Sequence, residues 1–201
     1  VSVRFGGIVA LVGITFAVFP GQIAGLIGPN GAGKTTLFNC LSRLYVPNDG
    51  DILFEGRSIL RSPRHDIPVI GIARTFQNVG LFDRMSVLDN VKVGYHSKGS
   101  SGFFANALRL PSVRSEEARI TARAMELIEF MDLAPYAAMP AGPLPFPIRK
   151  RVELARALAG GPKLLLLDEQ AAGLNHDEIE VLKGQIKRVR DTQHVTVLLV
   201  E

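Results

Sequence analysis

A chain of 201 residues, 47% hydrophobic and 21% charged, has the make-up of one ordinary soluble globular domain with apolar side chains enough for a single core. Its lone cysteine, Cys40, excludes an internal disulfide framework and suits a reducing compartment, and its four histidines are scattered without zinc-ligand spacing. The net charge of +4 is dispersed and tryptophan is absent, so nucleic-acid binding is not expected; the densest basic run, Arg149-Lys150-Arg151, reads as a solvated helix face.

In chain order, the first strongly apolar stretch is "IVALVGITFAVFPGQIAGLIG", residues 8 to 28. Pro20, Gly21 and Gln22 break it after twelve residues, short of the roughly 20 that a membrane-spanning helix needs, so it reads as two strands joined by a Pro-Gly turn. From Gln22 to Ile27 the pattern is a buried strand that runs into "GPNGAGKTT" and then a helix through about Leu44. "PNDG" at 47 to 50 predicts a turn, "DILFEG" a strand, and "GIARTFQ" a further strand ending near Gln77.

Between about Val87 and Gly160 the pattern turns to helix and loop. Ile120, Ala124, Leu127, Ile128 and Met131 recur at helical spacing behind Ser115-Glu116-Glu117, which suits a capped, acidic first turn, and "SKGSSGFF" at 97 to 104 reads as a flexible insertion. "KLLLLDE" then predicts a fully buried strand, and "HDEIEVLKGQIKRVR" a helix with Ile179, Leu182, Ile186 and Val189 on one side. "VTVLLVE" is a last buried strand. This alternation implies an α/β fold, a mostly parallel sheet with helices on both faces.

"GPNGAGKT", Gly28 to Thr35, satisfies GxxxxGK[ST] in full, and it lies between a predicted strand and a predicted helix, the setting a phosphate-binding loop requires. Small residues let successive backbone N–H groups curl around an anion, and the helix dipole adds a favourable field. Lys34 is expected to reach the β and γ phosphates of a nucleotide and Thr35 to place its hydroxyl on Mg²⁺. Asp168 and Glu169 end the run "LLLL" at the carboxyl edge of the sheet, where ligands of such folds bind. Asp168 is expected to hold Mg²⁺ through water. Glu169, next along a strand and so pointing the other way, would orient or deprotonate an attacking water. No NKxD sequence for guanine is present, which favours ATP over GTP.

Taken together, these residues resemble the ATP-binding subunits of ABC transporters over essentially the whole chain. The order is "RFGG" with Phe5, "GPNGAGKTT", "ARTFQNVGLF" with Gln77, a helical insert, a motif before "RVELARAL", "LLLLDE" and "AAGLN". "RTFQN", "AAGLN" and an insertion such as 95 to 112 look most like the ATPases of branched-chain amino acid uptake systems. The resemblance implies a P-loop NTPase fold of ABC type with an N-terminal antiparallel β subdomain. Residues 1 to 86 and 161 to 201 would form the nucleotide-binding core with that subdomain, and 87 to 160 an inserted helical subdomain. It further implies ATP and Mg²⁺ as cofactors. Phe5 would stack on adenine, Gly28, Pro29, Asn30, Gly31, Ala32, Gly33, Lys34, Thr35 and Thr36 would hold the phosphates, and Gln77 would contact Mg²⁺ and sense a transmembrane partner. Gly173, Leu174 and Asn175 would face a second subunit, with Asn175 also suited to cap the following helix.

The chain departs from the family at one motif above all. A sequence such as LSGGQ or LSYGQ precedes this helix in the family and gives a serine hydroxyl and glycine N–H groups to the γ-phosphate held by the opposite subunit. Here Leu144 matches, but Pro145 stands for the serine, Phe146 for the middle position, Pro147 for the glycine and Ile148 for the glutamine. Proline has no N–H to give. Gln170 replaces the usual proline after Glu169 and is expected to loosen that turn. The family's switch histidine would come immediately after Glu201; the chain is expected either to be cut there or to lack that group. His194 cannot replace it, because seven residues of strand set it roughly 20 Å from the phosphate edge. The resemblance implies a subunit peripheral on the cytoplasmic face of the cell membrane. It would be paired head to tail with a second, different ATPase subunit and coupled to permease subunits. A catalytically weak regulatory subunit and a soluble ABC ATPase outside transport are the alternatives.

Overall fold

A computed structural model describes residues 1–75, 80–95 and 111–200. Gln77, the 97–104 stretch and most of 95–112 lie outside the described residues. The chain divides into two units, Val1–Gln77 with Pro162–Glu201, and Asn78–Gly161.

In the first unit β1 (Val3–Phe5) pairs antiparallel with β2 (Ile8–Leu11). β3 (Ile23–Leu26) leads through the glycine loop into α1 (Lys34–Leu41). A second antiparallel ribbon joins β4 (Leu53–Phe54) to β5 (Arg57–Ser58) across Glu55 and Gly56, both at positive φ. After the short α2 (Ile67–Ile70) comes β6 (Ile72–Arg74). β6, β3, β7 (Leu164–Asp168) and β8 (Thr196–Val200) make one parallel sheet in the order β3-β8-β7-β6. Parallel register brings the last residues of three strands level, Leu26 beside Val200 and Val200 beside Asp168. Phe38, Ile72, Leu166, Leu198 and Val200 belong to one apolar cluster, while Val3, Leu11, Leu37 and Cys40 anchor the β1–β2 ribbon to α1.

The apolar run 8–28 yields less strand than its hydrophobicity suggests. β2 stops at Leu11, and Val12, Phe16, Phe19 and Ile27 are exposed. Within the ribbon the reason is geometric: one face is buried, so Leu11 enters the core while Val12, the next residue, faces outward; Phe16, Phe19 and Ile27 lie outside any strand. The Pro-Gly turn is present, closed by Gln22 N–H donating to the Phe19 carbonyl at 3.1 Å with Gly21 at φ 75°. α1 ends at Leu41, earlier than Leu44, because Arg43 takes a left-handed φ of 59°. The helix α6 (His176–Gln193) buries Leu182, Ile186 and Val189 on one side. Asn175 caps it: its side chain accepts from Glu178 N–H at 3.0 Å, and Glu178 accepts from Asn175 N–H at 2.8 Å.

The second unit comprises α3 (Val87–Val93), α4 (Pro111–Phe130) and α5 (Phe146–Ala159). α4 begins before Ser115, which is therefore a residue of the helix and not its cap. Ala124, Leu127, Ile128 and Met131 are buried at the expected spacing. Asn90, fully buried, donates to the carbonyls of Phe82, Met85 and Ser86 and accepts from Phe82 N–H at 2.9 Å, so one amide organises the 82–86 loop. α3 and α5 meet where Gly94 lies so close that an added Cβ would fall 2.1 Å from the Arg156 carbonyl oxygen.

Candidate nucleotide-binding site

Gly28 to Gly33 forms a loop between β3 and α1, at the carboxyl edge of the parallel sheet, and Lys34 and Thr35 open the helix. Gly31 and Gly33 hold φ of 83° and 85°, the left-handed region that turns successive N–H groups inward. Gly33 also has no room for a side chain: an added Cβ would lie 2.6 Å from Leu11 Cδ2 and 2.7 Å from the Ala10 carbonyl oxygen. Ala32 N–H closes the loop on the Pro29 carbonyl at 3.2 Å, leaving Asn30 and Gly31 at the exposed tip. The Lys34 ammonium donates to the Gly28 carbonyl and, at 3.3 Å, to that of Pro29. An ammonium so held has a third N–H for an anion. Thr35 is exposed and Thr36 half-buried in the first turn of α1.

Two strand positions from β3, Asp168 ends β7 at the same edge. Its side chain is 5% exposed, and Oδ2 accepts a hydrogen bond from Arg74 Nη2 at 2.6 Å. A hydroxyl and a carboxylate are hard oxygen donors, the set that suits Mg²⁺, and such an ion draws its remaining ligands from water and phosphate. On this donor chemistry and the glycine cradle, the residues fit a magnesium nucleotide.

Glu169 is placed otherwise than by strand alternation. β7 stops at Asp168, and Glu169, half-buried, sits at φ 47° with its N–H on the Val200 carbonyl at 3.1 Å. A turn, not the pleat, therefore sets its direction. Non-glycine residues held in that region are strained and concentrate at functional sites. Nor is the turn loosened by Gln170. That side chain is 2% exposed, and its Nε2 donates to Thr75 Oγ1 at 2.7 Å, while Ala172 N–H bonds the Glu169 carbonyl at 3.2 Å. Gly173, at φ 81°, and Leu174 continue into the Asn175 cap. Phe5 is 45% exposed and meets Tyr45 edge-on at 5.1 Å, so it is not a core residue. His194 caps the carboxyl end of α6, at the start of β8, the strand end away from Asp168.

In the second unit α5 starts at Phe146 with Pro145 as its cap residue and Pro147 in its first turn. The N–H groups of Ile148 and Arg149 both donate to the Pro145 carbonyl, at 2.9 and 3.0 Å. Pro147 has none, so among the described residues Phe146 alone offers a free N–H in that turn. The basic run is not the solvated face it suggests. Lys150 is 1% exposed with its ammonium 5.4 Å from the Phe146 ring centroid, and Arg149 bonds Asp83 at 2.7 Å.

Arg74, Thr75 and Gln170 escape a motif reading. A signal was present: an arginine inside an apolar strand must find a partner when buried.

A phosphate loop and a strand-end carboxylate at one edge of a parallel sheet define a P-loop nucleotide-binding protein of α/β class. A model of the ABC transporter family matches residues 11–172, and the chain belongs to that family. It is 40% identical over 200 residues to the high-affinity branched-chain amino acid transport ATP-binding protein BraF of Pseudomonas aeruginosa, covering 100% of this chain and 78% of the relative. To LivG of Escherichia coli, of the same description, it is 39% identical over 98% of this chain and 78% of the relative. Among solved structures it resembles a nucleotide-free ATP-binding cassette from an ABC transporter, with TM-score 0.85, 29% identity and coverage of 100% and 78%. It also resembles cbiO1 of Clostridium perfringens, part of an ABC transporter complex, with TM-score 0.84, 26% identity and coverage of 99% and 74%. The fold is thus the P-loop NTPase fold of ABC type, and the chain is an ATPase of that family. Among the described residues no helix is long and apolar enough to cross a membrane.

Proposed function

We propose that this chain is the ATP-binding subunit of an ABC transporter, hydrolysing MgATP at the cytoplasmic membrane face to drive uptake of branched-chain amino acids through permease subunits. The observation that carries the reading is the Lys34 ammonium held inside a left-handed glycine loop at the sheet edge where Asp168 ends β7. The relatives' descriptions as branched-chain amino acid transport proteins support the cargo.

In this reading Gly28 to Thr36 bind and orient the triphosphate, Lys34 neutralises its terminal charge, and Phe5 stacks on adenine. Thr35 and Asp168 hold the metal, joined by Gln77, and Glu169 orients or deprotonates the attacking water. Magnesium, when bound, supplies charge neutralisation at the phosphates. Calorimetry tests this directly: wild type takes up ATP with Mg²⁺ and Lys34→Ala does not. Equal heats from the two proteins overturn the reading.

The amide-poor start of α5 favours a head-to-tail pair with a different subunit. The partner's intact signature would complete the site on this chain's Lys34, whereas Pro145, Phe146, Pro147 and Ile148 would give the partner's nucleotide a poorer seat; Gly173, Leu174 and Asn175 would face the second subunit. The reconstituted pair tests it: replacing Lys34 by Ala abolishes most turnover, and replacing the partner's equivalent lysine removes far less. Equal losses end the asymmetric reading.

A further inference from the structure

We propose that Arg74 is a positioning residue of the metal end of this site, fixing the Asp168 carboxylate to the helix that carries Thr35. The inference rests on the magnesium-nucleotide reading and assigns a role to a side chain that reading does not use.

Arg74 lies at the end of β6 with its side chain 7% exposed. Its Nη2 donates to Asp168 Oδ2 at 2.6 Å, and its Nη1 donates to Asn39 Oδ1 at 2.7 Å and Ser42 Oγ at 2.9 Å. The guanidinium carbon stands 5.6 Å from the Phe38 ring centroid. Asn39 and Ser42 belong to α1 and its end, Asp168 to β7, so one planar group spans helix and strand. Asn39 is four residues after Thr35 and lies one turn along the same helix face. Arg74 thereby sets the spacing between the two elements that hold the metal's protein oxygens.

The chemistry favours positioning over stability. A buried ion pair is weak support for a fold, because desolvation offsets its attraction. A rigid guanidinium fork, by contrast, holds a carboxylate in one orientation, which a lysine's single compact charge does not. Oδ2 is taken by Arg74, and among the described residues Oδ1 accepts no protein hydrogen bond. That oxygen is left for a hydrated divalent cation, and such outer partners orient metal-binding groups.

The test is the ratio of ATP affinities with Mg²⁺ and with excess EDTA, measured by calorimetry on the full chain. Arg74→Lys and Asn39→Ala both keep the positive charge at position 74, so their effect comes from geometry. The ratio is expected to fall roughly tenfold in Arg74→Lys and a few-fold in Asn39→Ala, while affinity in EDTA holds. An unchanged ratio, or a parallel fall of both affinities, overturns the proposal. Should Arg74→Lys fail to fold, Asn39→Ala and Ser42→Ala decide it, and unchanged ratios in both sink it. Wild type without any ATP binding removes the nucleotide reading itself, and this inference with it.

Discussion

Gln170 Nε2 donates to Thr75 Oγ1 at 2.7 Å, so the turn after β7 is tied to the end of β6. Thr75 Oγ1 also lies 3.4 Å from Asp168 N and 3.5 Å from the Leu166 carbonyl oxygen, and both side chains are buried. The Gln170 amide thereby braces the turn that carries Glu169.

Removing the hydroxyl leaves that amide unpaired in the interior. Thr75→Val is expected to cost about 1 to 3 kcal/mol in urea unfolding. In a Gln170→Met background, which removes the amide, the same substitution costs clearly less. Strict additivity of the two changes would show the contact to be energetically idle.

Gly33 is the least replaceable residue of the loop. Gly33→Ala combines a left-handed backbone, worth about 1 to 2 kcal/mol of strain, with contacts of 2.6 and 2.7 Å to Leu11 and Ala10. Lower stability and weaker ATP binding should appear together. An alanine variant with wild-type affinity would mean that the β1–β2 ribbon yields without disturbing the loop.

Restoring amides at the start of α5 should raise turnover. Pro145→Ser with Pro147→Gly returns a hydroxyl and an N–H, two bonds to a charged group worth about 3 to 6 kcal/mol together. In the reconstituted heterodimer, ATP hydrolysis on the partner's loop is expected to rise by roughly two to four powers of ten. Unchanged turnover removes the prolines as its cause of weakness.

Cys40 is fully buried in α1, and burial pushes its thiol above the ordinary value of about 8.5. The folded chain holds that proton where the unfolded chain releases it, so this contribution to stability is complete below about pH 8.5 and is lost as pH rises through the folded value. Urea midpoints should therefore fall from pH 8 to pH 10 more in wild type than in Cys40→Ala. Equal falls would assign the alkaline loss to other groups.

The parts of this site legible in the sequence are those whose chemistry is local. Gly28 to Thr35 needs only its own glycines and the helix that follows, and Asn175 caps α6 with a partner three residues away. Partnerships across the sheet are not legible that way. Arg74 and Asp168 are separated by 94 residues, and only the β6–β7 register brings them together. Lys150 shows the same limit in the second unit, since a basic run looks solvated until the position of Phe146 is known. Glu169 defeats the strand pattern because the pleat ends one residue earlier, at Asp168.

The close approach at Gly94 leaves α3 and α5 no slack, since even a methyl group would strike the Arg156 carbonyl. Any side chain at position 94 would therefore have to push α3 off the carboxyl-terminal part of α5.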